Sequence, residues 1–366
     1  MKVSIIEDID EFLALEPEWN ALLIKSSADS LFLTWEWIGS WLEIYQDNIK
    51  LFVIVVRNDN DELVGLAPFY FANYKFLYLI KRRFLRVLGD KDCGAEYLDW
   101  IVSKNQETEV CGTIAKTLLQ NKQRWDAIWL SNMKGWNGAD KRMSSACKKH
   151  GLLVNKRQIP FGSIKLPASY QGYEAQLSSN QRSQLRRQRK KIFALQGVSV
   201  EYCESIDDLQ YYLEILFELH HKRRMLLGDK GTFMRKPDQI RFYRSFAKKA
   251  LENNWLSICI LKTNEGVKAI QLGYNYNKVF HQLQEGFEPD FLPGAGNVLR
   301  AENIKTCIEA GFDEYDFLGG FTEHKRRWLA LERFGYDLFI SYPNIINSLI
   351  FKYKIWPTGR FLRPAE

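Results

Sequence analysis

The residues best placed to do chemistry gather in the last third of the chain, around Phe287-Glu-Pro-Asp-Phe-Leu-Pro-Gly-Ala-Gly-Asn297. This stretch reads as a strand end and a glycine loop that opens onto a helix over 298–310. A second strand follows in Asp313-Glu-Tyr-Asp-Phe-Leu-Gly-Gly320. Val298, Ala301, Ile304 and Ile308 recur at helical spacing, Gly311 stands where a helix stops, and Tyr315, Phe317 and Leu318 carry strand character. A glycine loop at a helix start leaves backbone N–H groups pointing outward, and the helix dipole adds partial positive charge. Gly294, Ala295, Gly296 and Asn297 therefore predict an anion site suited to a pyrophosphate.

Titratable groups surround this loop in sequence. His281 and Glu285 lie on the strand before it and share a face only if that strand is regular across both. Glu285, if partly desolvated, is a candidate general base; its blander reading is an exposed residue at the sheet margin. His220 and His221 ride on a helical run over 209–224, four residues after the apolar Leu216 and Phe217 respectively. Asp316 and Lys325 flank the Gly319-Gly320 turn: Lys325 can neutralise a phosphate or an oxyanion with Asp316 orienting it, or the two can simply pin the loop.

The elements that must hold these groups belong to a large folded protein. With 366 residues, 46% apolar and 14% aromatic content, the chain suits two domains with packed cores and excludes a disordered polymer. The net charge of +7 is largely local. Six cations lie between Arg182 and Lys191, without which 45 basic residues face 44 acidic ones, and no acidic residue occurs between Glu174 and Glu201. That basic helix suits RNA, an anionic lipid surface or an acidic glycan, or else it is a solvated interdomain helix. Aromatics interleaved with the cations are missing, which counts against nucleic acid. The six cysteines form no CxxC pair and no zinc pattern, so no metal is expected. An early acidic N-terminal segment and short apolar runs predict a cytoplasmic protein without a signal peptide or a membrane span.

The chain also echoes itself. Leu51–Leu66 and Leu256–Ile270 each read as a hairpin behind a helical, aromatic-rich stretch, and Trp125-Asp-Ala-Ile-Trp-Leu130 parallels Phe312-Asp-Glu-Tyr-Asp-Phe317. Two copies of one α/β unit with a mixed sheet explain this order: an N-terminal domain over 1–165, a C-terminal domain over 166–342 and a tail over 343–366. The tail mixes apolar bulk with lysines and is expected to pack onto the second domain rather than lie on a membrane interface. At the position of the glycine loop the first copy has Glu107-Thr-Glu-Val-Cys-Gly112, whose carboxylates oppose a phosphate. The second copy is thus the expected cofactor-binding half, and the first a degenerate scaffold or acceptor domain.

Trp35-Glu-Trp37, Leu88-Gly-Asp90, Tyr97-Leu-Asp99, the Pro293-Gly-Ala-Gly helix start, Asp313–Gly320 and Lys325-Arg-Arg-Trp328 together resemble the CelD-like acetyltransferases of the GNAT superfamily, associated with cell-surface polysaccharides and related to the FemABX aminoacyltransferases. The resemblance implies tandem GNAT-type domains and transfer of an acyl group, acetyl in the first instance, from acyl-CoA to an amine or hydroxyl on a small molecule or saccharide. It implies catalytic roles for Glu285, His220, Asp316 and Lys325, and acceptor contacts from Tyr97, Asp99, His221 and His281. Peripheral attachment at the inner face of the membrane, or to polysaccharide-synthesis proteins, accompanies it. One departure stands out: the family loop usually carries Gln or Arg three residues before its first glycine, where this chain has Phe291. An aminoacyltransferase fed by aminoacyl-tRNA, and a non-catalytic assembly component, are the alternatives.

Overall fold

The computed structural model describes residues 1–77, 79–226, 228, 233–357 and 362–364. The chain divides into two compact units, residues 1–159 with 334–366, and residues 160–333. Unit 1 opens with β1 (Lys2–Ile6), α1 (Ile9–Leu13), α2 (Glu16–Ile24), α3 (Trp35–Tyr45), β2 (Lys50–Arg57), β3 (Leu63–Phe76) and β4 (Ile80–Val87). It continues through β5 (Ile101–Val102), α4 (Glu107–Gln120), β6 (Ala127–Met133), α5 (Ala139–Lys149) and the first part of β7 (Leu153–Lys165). Leu51–Val56 of β2 is buried at every residue, which is why that strand is a continuous apolar run and not an alternating one. Thr34 caps α3 through its hydroxyl, and the indoles of Trp37 and Trp41 donate to the carbonyls of Gly89 and Lys91. The Trp-Glu-Trp and Leu-Gly-Asp segments thereby form one aromatic core.

Unit 2 takes up the end of β7 and adds α6 (Tyr170–Gln176), α7 (Ser179–Phe193), β8 (Ser199–Tyr202), α8 (Ile206–Leu226) and α9 (Pro237–Glu252). Next come β9 (Leu256–Thr263), β10 (Gly266–Tyr276), β11 (Val279–Phe287), α10 (Ala295–Glu309), β12 (Glu314–Gly319) and α11 (Glu323–Arg327). The chain then returns to unit 1 through β13 (Leu331–Ser341), α12 (Ile345–Lys352) and β14 (Leu362–Pro364).

The two units share one topology. In unit 1, β1-β2-β3-β4 are antiparallel, β4 pairs in parallel with β6 through Phe84–Arg86 and Ala127–Trp129, and β13 closes the order antiparallel to β6. In unit 2, β8-β9-β10-β11 are antiparallel, β11 pairs in parallel with β12, and the end of β7 runs antiparallel to β12. The expected hairpins are β2–β3 and β9–β10, and the two aromatic-Asp segments lead into β6 and β12. The fold is a mixed α/β arrangement of two units built on the same strand order.

The C-terminal tail corrects one expectation. Ile350 and Phe351 of α12 are buried with Tyr74, Phe84, Trp129 and Phe339, all in unit 1, and Leu362–Pro364 pairs with Tyr74–Phe76 of β3. The tail packs on the first unit, not the second, because its apolar stripe covers the aromatic face laid down by β3, β4 and β6. Among the described residues no helix is long and apolar enough to cross a membrane, and no cluster of three or more His, Cys, Asp or Glu has metal-binding geometry.

Candidate active site

In unit 2 the parallel pair β11–β12 is joined only over Val279–His281 and Glu314–Asp316, although both strands run on, to Phe287 and Gly319. Beyond that vertex the strands have separated, and the loop 288–294 leads from the open end into α10. Gly294 is the N-cap of α10 at φ +95°, a left-handed conformation that favours glycine and offers no side chain to cap the first turn. The N–H groups of that turn therefore face a cavity of about 250 Å³, lined by the whole Pro293–Asn297 loop together with Arg223, Glu285, Arg300 and His324. In unit 1 the matching helix start is closed: Glu107 lies in the first turn of α4, where its carboxylate accepts from Ser27 Oγ at 2.7 Å and pairs with Arg142 at 3.2 Å.

The floor of the cavity is an ion network that the sequence reading missed. Glu285 is bound by Arg300 and, at 2.8 Å, by Arg223, and Gln282 donates to its second oxygen at 3.1 Å. Burial opposes the charge on Glu285, yet Arg300 and Arg223 hold its carboxyl down at about 2. A carboxylate so stabilised is a weak proton acceptor; its work is to fix two guanidinium groups beside the loop. Arg300 also stacks near Trp328, 5.3 Å from the ring centre. His324 Nε2 lies 3.3 Å from an Arg300 nitrogen, and since a guanidinium can only donate, the imidazole accepts there and carries its proton on Nδ1. Burial and the Arg300 charge both lower the His324 pKa, in keeping with a neutral ring. The readable signal for Arg300 was its place one helical turn after Gly296. Arg223 and His324 left none, because their elements meet the loop only in the folded chain.

A β-bulge separates the two residues of β11 that the sequence offered as neighbours. Leu272 pairs with Gln284 and Gly273 with Gln282, so Leu283 is an extra residue in β11. The alternation shifts by one: Gln282 shares the face of Glu285, whereas His281 points to the opposite face. There His281 Nδ1 stands 3.5 Å from Asp316 Oδ2, on the last residue pair before the strands part. Both side chains are buried. Asp316 is fixed further by Arg333 at 3.1 Å and by the Leu318 N–H at 2.9 Å. Gly273 makes room for the bulge, since an added Cβ would overlap the Phe280 ring and the His281 carbonyl. Gly273→Ala should cost about 1–3 kcal/mol in a denaturation measurement, and a neutral result would show that the register tolerates slippage.

The remaining sequence candidates fall elsewhere. Lys325 Nζ donates to the carbonyls of Phe317, Leu318 and Gly319 at 2.7–3.2 Å, closing the frayed end of β12. His220 is buried on α8 with its ring 4.5 Å from Phe233, and His221 beside it is half-buried. Tyr97 and Asp99 lie in unit 1. Tyr97 has φ +59° and packs between Phe32 and Trp136. Asp99 is pushed up to about 7 by burial, against the opposing pull of Arg142.

Comparison with known proteins accords with this geometry. Residues 179–326 match the family described as Acetyltransferase (GNAT) domain. No curated protein matches the chain by sequence. Among solved structures, the crystal structure of FemX is similar at 12% identity with a TM-score of 0.64, over 96% of this chain and 100% of that one. The structure of L-PGS from Bacillus licheniformis is similar at 10% identity with a TM-score of 0.53, over 97% and 99%. A conserved protein of unknown function from Bacteroides thetaiotaomicron VPI-5482 matches at 11% identity and a TM-score of 0.54, over 93% and 100%. At these identities the structures speak for the fold alone, whereas the family match falls on the segment that carries the loop, the splayed strands and the arginine pair. Residues 179–326 are thus similar to the GNAT acetyltransferase domain, and the protein is an acyltransferase.

Proposed function

We propose that unit 2 transfers an acyl group, acetyl in the first instance, from acyl-CoA to an amine or hydroxyl, with a saccharide as the acceptor class to test first. The observation that carries this reading is the glycine loop at the open end of two parting parallel strands, with the buried Arg300 and the half-buried Arg223 beneath it. The pyrophosphate of the donor fits against Gly294, Ala295, Gly296 and Asn297. Arg300 and Arg223 supply the positive charge that Phe291 does not. The acyl-bearing arm then runs into the gap between β11 and β12, where the β11 backbone has left the parallel ladder and can bind it.

A thioester already has a good leaving group, so the protein has three tasks: to hold the acceptor against the carbonyl carbon, take its proton, and receive negative charge on the carbonyl oxygen. Attack forms the new C–N or C–O bond, and collapse of the tetrahedral species breaks the C–S bond and releases the thiol. We assign proton acceptance to His281, oriented by Asp316 at the vertex of the strands. Glu285 holds the arginines, and Lys325 holds the end of β12.

Gly296→Glu tests the donor site directly. Its Cβ would lie 3.2 Å from the Phe287 ring and its carboxylate would oppose the phosphates. In the unaltered protein, CoA at a hundred times its dissociation constant should add about 2.7 kcal/mol of stability in a thermal melt. The variant should lose that gain while keeping its ligand-free midpoint within a few degrees. A gain that persists in Gly296→Glu would move the donor elsewhere.

A further inference from the structure

Two distant segments of unit 1 lack any carboxylate: residues 63–89 and residues 338–365 contain no Asp or Glu. The fold lays their ends side by side, because Leu362–Pro364 of β14 adds to the outer part of β3, which pairs on its other edge with the start of β4. The register aligns Arg363 with Lys75 and Lys75 with Lys81, three cations abreast across β14, β3 and β4. Asn73 and Arg83 form the next pair inward on that face. All five side chains are exposed, opposite the face that α12 covers through Tyr74 and Phe84. Arg82 points to the α12 side and binds Asn347 there. Like charges directly opposite one another weaken a sheet, so this row is stabilised when an anion comes to it.

Beyond the row stand Leu77, Leu79 and Ile80, all exposed, Leu79 at 86%. Such a group is more than the single exposed apolar side chain common on soluble surfaces. Leu79 and Lys81 are two residues apart, a reach of roughly 7 Å at full extension. That matches the depth of about 5–10 Å to which interfacial elements sink their apolar side. At Asn73 and Arg83 the hairpin borders a cavity of about 490 Å³, whose lining also includes Lys50, Phe71, Arg124 and Asp47.

We propose that this end of unit 1 docks on an anionic lipid bilayer. Leu77, Leu79 and Ile80 enter the acyl boundary, Lys75, Lys81 and Arg363 meet the phosphates, and the cavity admits a headgroup. Cations attract any polyanion, but aliphatic side chains beside them are buried by acyl chains and gain nothing from a nucleic-acid backbone. The surface lies in unit 1 and does not depend on the acyl-CoA reading of unit 2. Docking here brings the enzyme to acceptors carried on lipids.

Flotation of the full chain with vesicles tests this, using phosphatidylcholine alone and phosphatidylcholine mixed with phosphatidylglycerol. The chain should float with the mixed vesicles only, and less as salt is raised. Lys75→Gln and Lys81→Gln should each weaken binding about fivefold, and Leu79→Ser about tenfold, with melting temperatures and the response to CoA unchanged. Because the six native cysteines are buried, Leu79→Cys can be labelled alone with a polarity-sensitive dye, whose emission should shift to the blue on the mixed vesicles. Equal binding to neutral vesicles, or failure to bind either kind, overturns the proposal. So does binding that ignores the hairpin variants but is lost in Arg187→Gln, which moves the surface to α7. Binding of a short RNA that needs Lys75 and Lys81 but not Leu79, without flotation, overturns it as well and assigns the cationic row to nucleic acid.

Discussion

Glu285→Ala should lower stability by about 3–5 kcal/mol, the cost of leaving the buried Arg300 without its counter-charge. Arg300 retains only 3% of its side-chain exposure and Glu285 18%, so the guanidinium loses its main counter-charge in a poorly solvated place. The same ion pair predicts a pH dependence. The Glu285 carboxyl is lowered from an ordinary 4.5 to about 2. A group whose folded-state pKa is depressed contributes stability that is complete above its unfolded value and lost as the pH falls through the folded one. Glu285 should thus supply about 3 kcal/mol above pH 4.5, fading between pH 4.5 and 2. Chemical denaturation at neutral pH and across that acid window checks both statements, with Glu285→Gln as the variant that keeps the shape and removes the charge. A loss below about 1 kcal/mol for Glu285→Ala would place the network in the class of screened surface pairs and remove it as the foundation of the loop.

His281→Ala should reduce kcat by about 10²–10⁴-fold with little change in KM for the acyl donor, the signature of a lost proton acceptor. The imidazole nitrogen lies 3.5 Å from Asp316, and Asp316 is itself held by Arg333 and a backbone N–H. His281→Gln should be as inactive as His281→Ala while restoring packing. Asp316→Asn should lower kcat as well, since it removes the charge that stabilises an imidazolium. Unchanged kcat in His281→Ala, with an unaltered melting temperature, would send the search for the base to another residue.

Much of this arrangement was legible in the residues themselves. The glycine loop, the helix behind it and the two strands on either side appear at the expected places, because local periodicity and Gly conformational freedom are written residue by residue. The repeat was legible too, since both hairpins keep an apolar run on each side of a polar turn. Leu185 and Ile192, seven residues apart on the basic helix and its regular apolar marks, are buried at 3% and 0%.

What local pattern could not supply was the company each residue keeps. Strict alternation along β11 puts His281 and Glu285 on one face; a single extra residue, Leu283, puts them on opposite faces, and nothing in the sequence around it announces a bulge. Lys325 has the charge to serve an oxyanion, yet three carbonyls at the end of β12 claim its ammonium. Arg223, Arg300 and His324 converge on the loop from α8, α10 and α11, elements separated by many residues and joined only by packing. The sequence by itself determined the tandem α/β plan, the glycine loop and the basic helix, because these depend on interactions within one or two turns of chain. The tertiary structure alone decided which carboxylate is a partner to arginines and which one orients a histidine. Burial and neighbouring charge set the protonation of a side chain, and both are properties of the folded surroundings rather than of the residue type.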